Sequence, residues 1–159
     1  MDYTNPPLSL VPGWRDIRRY LVAVAGLILF ATVLTDGGKA IVTNRMVGSG
    51  TEPKYIGWGT GAGTAAAADT TLFTEKLVDL STSAGTDHTT GTSSRTTTTV
   101  TNDTYTVTGT RTATGAGTVT NAGLFDAASG GNLFVKGDFT GIGLASGDSI
   151  AFTFNIKFA

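Results

Sequence analysis

The sequence predicts a mainly β protein, a β-sandwich or jelly-roll-like domain with one short helix and an extended amino-terminal arm. Three observations predict this class. Apolar and polar residues alternate over residues 149–158, Thr-rich segments with β-branched and aromatic residues fill the middle of the chain, and 22 glycines are spread through its 159 residues. Short strands divided by glycine-containing turns are typical of antiparallel sandwiches and barrels.

The carboxyl-terminal third carries the clearest strand pattern. The segments Leu124–Phe125 and Leu133–Val135 flank a glycine-containing loop, which predicts a hairpin, and Gly147–Asp148 predicts a second turn. Period-two geometry then places alternate residues of the last segment on one face. That face is predicted to be core and consists of Ile150, Phe152, Phe154, Ile156 and Phe158.

The amino-terminal third divides into an arm at residues 1–33, which includes an apolar segment, and the start of a β-rich domain at residues 34–159. Prolines remove backbone donors, so the first 13 residues are predicted to form no helix or sheet of their own. The apolar run Leu21–Leu34 is short for a membrane span, which needs about 20 apolar residues. A signal peptide is the second alternative, although no clean cleavage site follows the run.

We adopt the third alternative, in which the apolar run is buried against this chain or a neighbouring copy. The arm then links adjacent subunits. Its candidate interface residues are Pro6, Pro7, Pro12, Trp14, Leu21, Leu27, Ile28, Leu29 and Phe30.

A helix of about three turns is predicted after the apolar run. Thr35 or Asp36 can cap its start and Gly48 can end it in the left-handed conformation. Four apolar residues are expected to form its packing face, namely Ala40, Ile41, Met46 and Val47. The segment 54–61 then predicts a short strand that runs into a glycine turn.

Composition excludes several classes of function. The chain has no cysteine, so it has no disulfide framework, zinc ribbon, iron–sulfur site or thiol nucleophile. Its net charge of −1 without a basic tract argues against nucleic-acid binding. Charged residues make up only 14% of the chain, which is sparse for a free monomer and indicates assembly with other subunits.

The residues of catalytic type form no recognisable motif. The single histidine, His88, lies in the polar segment Ser81–Ser94, which is predicted to be a loop or hairpin tip facing water. The glycine series Gly57–Gly63 lacks the Lys-Ser or Lys-Thr pair of a phosphate loop, so conformational freedom in a turn is the better explanation. The carboxylates show no calcium-loop spacing. The sequence therefore predicts no enzyme, no catalytic residue, no cofactor and no metal ion.

The order of several motifs resembles a family of small structural proteins from the virions of tailed bacteriophages. The resemblance covers the chain from about Leu34 to its end. It is carried by the segments 34–40 (Leu-Thr-Asp-Gly-Gly-Lys-Ala), 55–61 (Tyr-Ile-Gly-Trp-Gly-Thr-Gly), 65–72 with its alanines, 121–126 (Asn-Ala-Gly-Leu-Phe-Asp) with Gly130 and Gly131, and 147–149 (Gly-Asp-Ser). Members of the family look like head decoration (cement) proteins or tail-fibre-type proteins.

The resemblance implies a capsid decoration protein on the phage head, whose partners are the major capsid protein and copies of itself. A homo-oligomer such as a trimer is expected, with no nucleic acid and no membrane as partner. The principal alternative is a tail, neck or fibre component that contacts a receptor or joins two rings. Two further alternatives are a secreted or membrane-tethered surface module and an enzyme acting on cell-wall glycan.

Overall fold

The computed structural model describes residues 27–28, 32–82 and 85–158, and these form a mainly β domain with one helix, as predicted. In chain order the elements are β1 (Leu27–Ile28), β2 (Val33–Leu34), α1 (Asp36–Met46), β3 (Tyr55–Gly59), β4 (Glu75–Lys76), β5 (Thr89–Thr90), β6 (Thr92–Thr96), β7 (Thr104–Thr112), β8 (Gly117–Phe125), β9 (Leu133–Leu144) and β10 (Ser149–Lys157).

The strands form two sheets. One has the order β1-β10-β7-β6, and the other has the order β2-β9-β8-β3-β4 with β5 also paired to β3. Every pairing between these strands is antiparallel except that of β1 with β10. The predicted hairpin between residues 124–125 and 133–135 is the β8–β9 hairpin, and Gly147 (φ +90°) lies in the predicted turn before β10.

One apolar core joins the two sheets. Ile56 and Trp58 of β3 and Leu124 of β8 pack in the same cluster as Phe152 and Phe154 of β10. Side chains from both sheets therefore meet between them, as the sandwich prediction requires.

The alternation in β10 places Ile150, Phe152 and Phe154 in the core, with Ile156 partly buried against it. The prediction for Phe158 is wrong, because this side chain is 56% exposed. The ladder between β10 and β7 ends at the pair Lys157–Thr104, and the Phe158 N–H instead donates to the Asp103 carbonyl at 2.9 Å. Phe158 therefore lies beyond the end of the sheet.

Helix α1 begins as predicted, but its apolar face differs from the expected one. Thr35 is the N-cap, and its hydroxyl accepts a hydrogen bond from the Gly38 N–H at 2.9 Å. Ile41 is buried, whereas Met46 is 80% exposed and Val47 is 79% exposed. At about 100° per residue, positions 41 and 46 point some 140° apart, so they cannot share one face.

The glycines of β3 serve close packing and not the turn that the sequence predicted. A Cβ at Gly57 would lie 2.8 Å from the Phe125 ring and 3.0 Å from the His88 ring. Both distances are shorter than a Cβ atom normally makes, so a side chain here would displace the two rings. The absence of a side chain lets both rings approach the strand.

The apolar run before α1 contributes backbone to both sheets. Leu27–Ile28 pairs in parallel with Phe152–Thr153 of β10, and Val33–Leu34 pairs with Val135–Lys136 of β9. The other proposed interface residues lie outside the described residues: Pro6, Pro7, Pro12, Trp14, Leu21, Leu29 and Phe30. Within the described part of the chain, no helix is long and apolar enough to cross a membrane.

The turn between β6 and β7 is organised by one carboxylate. Asp103 accepts hydrogen bonds from the N–H groups of Val100, Thr98 and Thr99 at 2.9, 2.8 and 2.8 Å. These bonds hold the pKa of Asp103 well below its usual range, with the Val100 N–H as the largest cause.

We predict that this turn keeps its structure down to acidic pH. Because the folded pKa is lowered, the stabilising effect is complete above the unfolded pKa of about 3.9 and is lost as the pH falls towards the folded value. In an NMR titration, the amide shifts of residues 98–100 should therefore change with a midpoint clearly below the ordinary aspartate value. A midpoint at or above that value would contradict the prediction, and Asp103→Asn should abolish the transition.

We also predict that Phe154→Ala lowers the free energy of unfolding by about 3–5 kcal/mol, because it leaves a cavity between the two sheets. The matched control is Phe158→Ala, which removes the same ring from an exposed position and should cost about 1 kcal/mol or less. Denaturant unfolding of both variants measures the difference. Equal losses in the two variants would show that the assignment of core and surface in β10 is wrong.

Candidate functional site

A groove of about 540 Å³ lies at the end of the sandwich where β10 finishes. Helix α1 forms one wall, β6 forms the other, and Pro53, Tyr105 and Phe134 line it between them. Phe158 and Met46 also line the groove. Both side chains were predicted to pack inside the domain, and both face this opening instead. The lining is mostly apolar, which is typical of sites that bind other molecules.

Four large apolar side chains are highly exposed among the described residues, and all four belong to this end of the sandwich. Met46 and Val47 end the helix, and Phe158 follows β10. Val100 is 67% exposed in the β6–β7 turn, and the Asp103 carbonyl of the same turn binds the Phe158 N–H. We call these four residues the end patch. A concentration of exposed apolar residues is characteristic of interaction surfaces.

On one side of the groove, the polar side chains are paired with neighbouring groups of the same chain. The Tyr105 hydroxyl donates to Glu52 Oε1 and to the Pro53 carbonyl, both at 3.3 Å. Burial and the neighbouring Glu52 carboxylate raise the pKa of this hydroxyl, so it stays protonated and acts as a donor at neutral pH. A hydrogen bond from Ser93 and the nearby Lys54 lower the pKa of Glu52, which is therefore ionised.

Two arginines give the groove a positive charge. Lys54 Nζ lies 3.2 Å from Glu52 Oε2 and offsets the charge of that carboxylate. The Arg45 guanidinium donates to the Gly50 carbonyl at 2.9 Å, and neither Arg45 nor Arg95 forms an ion pair with any described residue. Both arginines line the groove, so an acidic group on a bound segment would find a partner there.

His88 is buried, so the prediction of a solvated loop histidine is wrong. Its side chain is packed against Phe125 with ring centroids 3.9 Å apart, and the residue is 5% exposed. The surrounding segment is also not a loop throughout, because it contains β5 and the start of β6. The polar composition around His88 gave no signal of this, since the contacts that bury it come from distant parts of the chain.

Both ring nitrogens of His88 have acceptors. Nε2 lies 2.7 Å from Glu75 Oε1 and Nδ1 lies 2.8 Å from the Ala127 carbonyl oxygen. A catalytic histidine needs one nitrogen free to exchange a proton with its substrate. Neither nitrogen is free here, so the geometry favours a structural role in which His88 links β4 to the β8–β9 loop.

Arg111 is a second buried polar residue, and it lies beside the same segment. Its guanidinium lies 4.9 Å from the centre of the Trp58 ring and donates to the carbonyls of Ile56 and Asp87. Burial lowers its pKa to about 10, which leaves it charged at neutral pH. Nothing in the sequence distinguished Arg111 from a surface residue, because its carbonyl partners are set by the fold.

The described residues contain no group of three or more His, Asp or Glu side chains that could hold a metal ion. The groove is open and mostly apolar, whereas His88 and Glu75 are buried, so the groove is the candidate functional site.

We predict that His88→Ala lowers the free energy of unfolding by about 3–5 kcal/mol, because it leaves the Glu75 carboxylate buried without its partner. The double variant His88→Leu with Glu75→Leu should lose less than the sum of the single substitutions. Lys39→Ala is the control, since its ion pair with Asp36 is exposed and is expected to contribute about 0.5 kcal/mol. A loss in His88→Ala as small as in this control would show that the pair does not stabilise the fold.

Comparison of the chain with protein-family models, with curated proteins and with solved structures found no match.

Proposed function

We propose that this chain is a structural protein of a tailed-bacteriophage virion, and that it acts as a decoration or cement protein on the outer surface of the head. The observation that carries the proposal is the end patch, in which Met46, Val47, Val100 and Phe158 expose apolar surface at one end of the sandwich. The order of the motifs, which resembles that of phage structural proteins, supports the assignment to a virion.

Cementing requires a rigid body that contacts more than one neighbour. The sandwich provides the rigid body, because one core joins its two sheets. The end patch provides apolar surface, and burial of such surface contributes about 25 cal/mol per Å² before the costs of association are subtracted. A decoration protein stabilises the shell when it makes this contact across the boundary between capsid subunits. The major capsid protein is therefore the proposed partner of the end patch.

A second candidate function is a tail, neck or fibre component. It is favoured by the Ser and Thr side chains of β6 and its following turn, which are exposed apart from the half-buried Ser93 and lie next to the end patch. Hydroxyl-rich strands and turns suit polar recognition of a receptor. Copy number separates the two functions, since decoration requires many copies per particle and a tail component requires few.

We predict that purified protein binds to phage heads that lack it, and that Val47→Gln combined with Val100→Gln weakens this binding at least about tenfold, as expected when about 1.4 kcal/mol of contact is lost. Both residues belong to the end patch but neither lines the groove. Cosedimentation of protein with heads over a range of concentrations measures the affinity and the number of copies bound.

Thr140→Gln is the matched control for this experiment, because Thr140 is exposed on β9 and lies outside the end patch. It should bind as the unmodified chain does. Saturation at a few copies per particle would favour the tail function. Failure to bind heads, or equal binding by the double variant and the unmodified chain, would contradict the proposed role of the end patch.

A further inference from the structure

The groove of the candidate site follows the free edge of β6. Three consecutive residues of this strand line the groove, namely Ser93, Ser94 and Arg95. Ser93 and Arg95 pair with Val107 and Tyr105, whose side chains pack in the core, so these two residues lie on the inner face of the sheet. Ser94 therefore points to the outer face. A groove that is lined by residues from both faces of a strand runs along the edge of that strand.

This edge offers backbone groups to a further strand. β6 is the last strand of its sheet, and within the described residues its one partner strand is β7. In an antiparallel pair, the N–H and C=O groups of every second residue point away from the partner strand. β6 therefore presents a row of donors and acceptors along the groove. An extended peptide can add to such a row as an extra strand.

Apolar side chains form the opposite wall of the groove. Helix α1 contributes Ile41, Val42 and Met46 to this wall, and Phe134 and Phe158 also line the groove. In a strand added to β6, every second side chain would lie on the inner face of the sheet. Apolar residues at these alternate positions would therefore contact the wall.

The charges of the groove favour an acidic strand. Arg45 and Arg95 line the groove, are exposed, and form no ion pair with any described residue. Glu52 is the third charged side chain of the lining, and its Oε2 already lies 3.2 Å from Lys54 Nζ. A carboxylate on the added strand would gain a charge-assisted hydrogen bond to either arginine. A basic residue in its place would meet two like charges.

The same charges disfavour β6 of a second copy as the added strand. Antiparallel pairing of two copies of β6 over their full length places the two Ser94 residues opposite each other and Arg95 opposite Ser93. The two Arg95 side chains then lie on one face as diagonal neighbours, about 7–8 Å apart. Because like charges repel at this distance, a partner with a carboxylate is preferred to a second copy.

We infer that the groove binds an acidic, extended segment of another protein, which pairs with the free edge of β6 and enlarges its sheet by one strand. The segment has apolar side chains at alternate positions, which contact the wall formed by α1, and a carboxylate that binds Arg45 or Arg95. The decoration function does not depend on this ligand, because its test uses Val47 and Val100, neither of which lines the groove.

Selection from a random peptide library tests the charge and the pattern of the ligand. The library contains peptides of about ten residues, the length of a long strand, each linked to its coding mRNA. It is incubated with the full-length protein, and the bound peptides are sequenced. We expect Asp or Glu together with apolar residues at every second position. Enrichment of basic or neutral peptides, or of none because the chain fills its own groove, would overturn the inference.

Charge reversal tests whether a selected peptide lies in the groove. Arg95→Glu should weaken its binding at least about tenfold, and a peptide with Lys in place of its acidic residue should regain affinity for this variant. Lys39→Glu is the matched control, because it makes the same change of charge on an exposed residue of α1 that does not line the groove. It should bind as the unmodified chain does. Equal losses in the two variants, measured by calorimetry, would overturn the inference.

N-methylation of the selected peptide distinguishes strand addition from simple filling of the groove. Each N-methyl group removes one backbone donor and leaves the side chain unchanged. In an added strand only every second N–H points to β6, so affinity along the peptide should alternate between retention and a loss of at least about tenfold. Losses that do not alternate, or no loss at any position, would show that the peptide does not pair with β6 and would overturn the inference.

Sedimentation of the full-length chain tests a second copy as the occupant. The inference expects Arg95→Glu to leave the sedimentation of the chain unchanged. Self-association that this substitution abolishes would place a second copy in the groove and would overturn the inference.

Discussion

Hydrogen bonds from three buried side chains hold the long connection between β3 and β6, and the integrity of the domain depends on them. The described residues of this connection, 60–82 and 85–91, contain only the short strands β4 and β5, yet their buried backbone groups must still find partners. Each of the consecutive strands β7, β8 and β9 supplies a buried side chain that donates to carbonyls of this connection: Arg111 to Lys76 and Asp87, Asn121 to Gly61 and Phe73, and Lys136 to Thr71. The sheets thus act as a support on which an otherwise irregular segment is ordered.

The burial of such side chains also bears on the low content of charged residues in this chain. Arg111, Lys136, Glu75 and His88 are all buried, so part of an already small set of ionisable groups is used inside the domain. Fewer charges on the surface mean less electrostatic repulsion between copies, which is in keeping with the assembly function proposed above.

Local patterns predicted the features that depend on neighbouring residues, and long-range contacts decided the rest. Phe154 follows from period-two alternation, but Phe158 does not, because the strand loses its partner one residue earlier. Ile41 is buried while Met46 is not, which the helical spacing of the two residues explains. His88 could not be recognised as buried, since its partners lie in β4 and in the β8–β9 loop, and no sequence spacing relates these segments.

The first strand of the described chain pairs with the last one. β1 lies beside β10, and the ladder partners Leu27 and Phe152 are 125 positions apart in the sequence. Contacts between such distant positions form slowly, because the long loop between them must close first. During synthesis the amino-terminal part of a chain emerges first. β1 therefore has no partner until β10 has been synthesised, and this edge of the sheet is completed last.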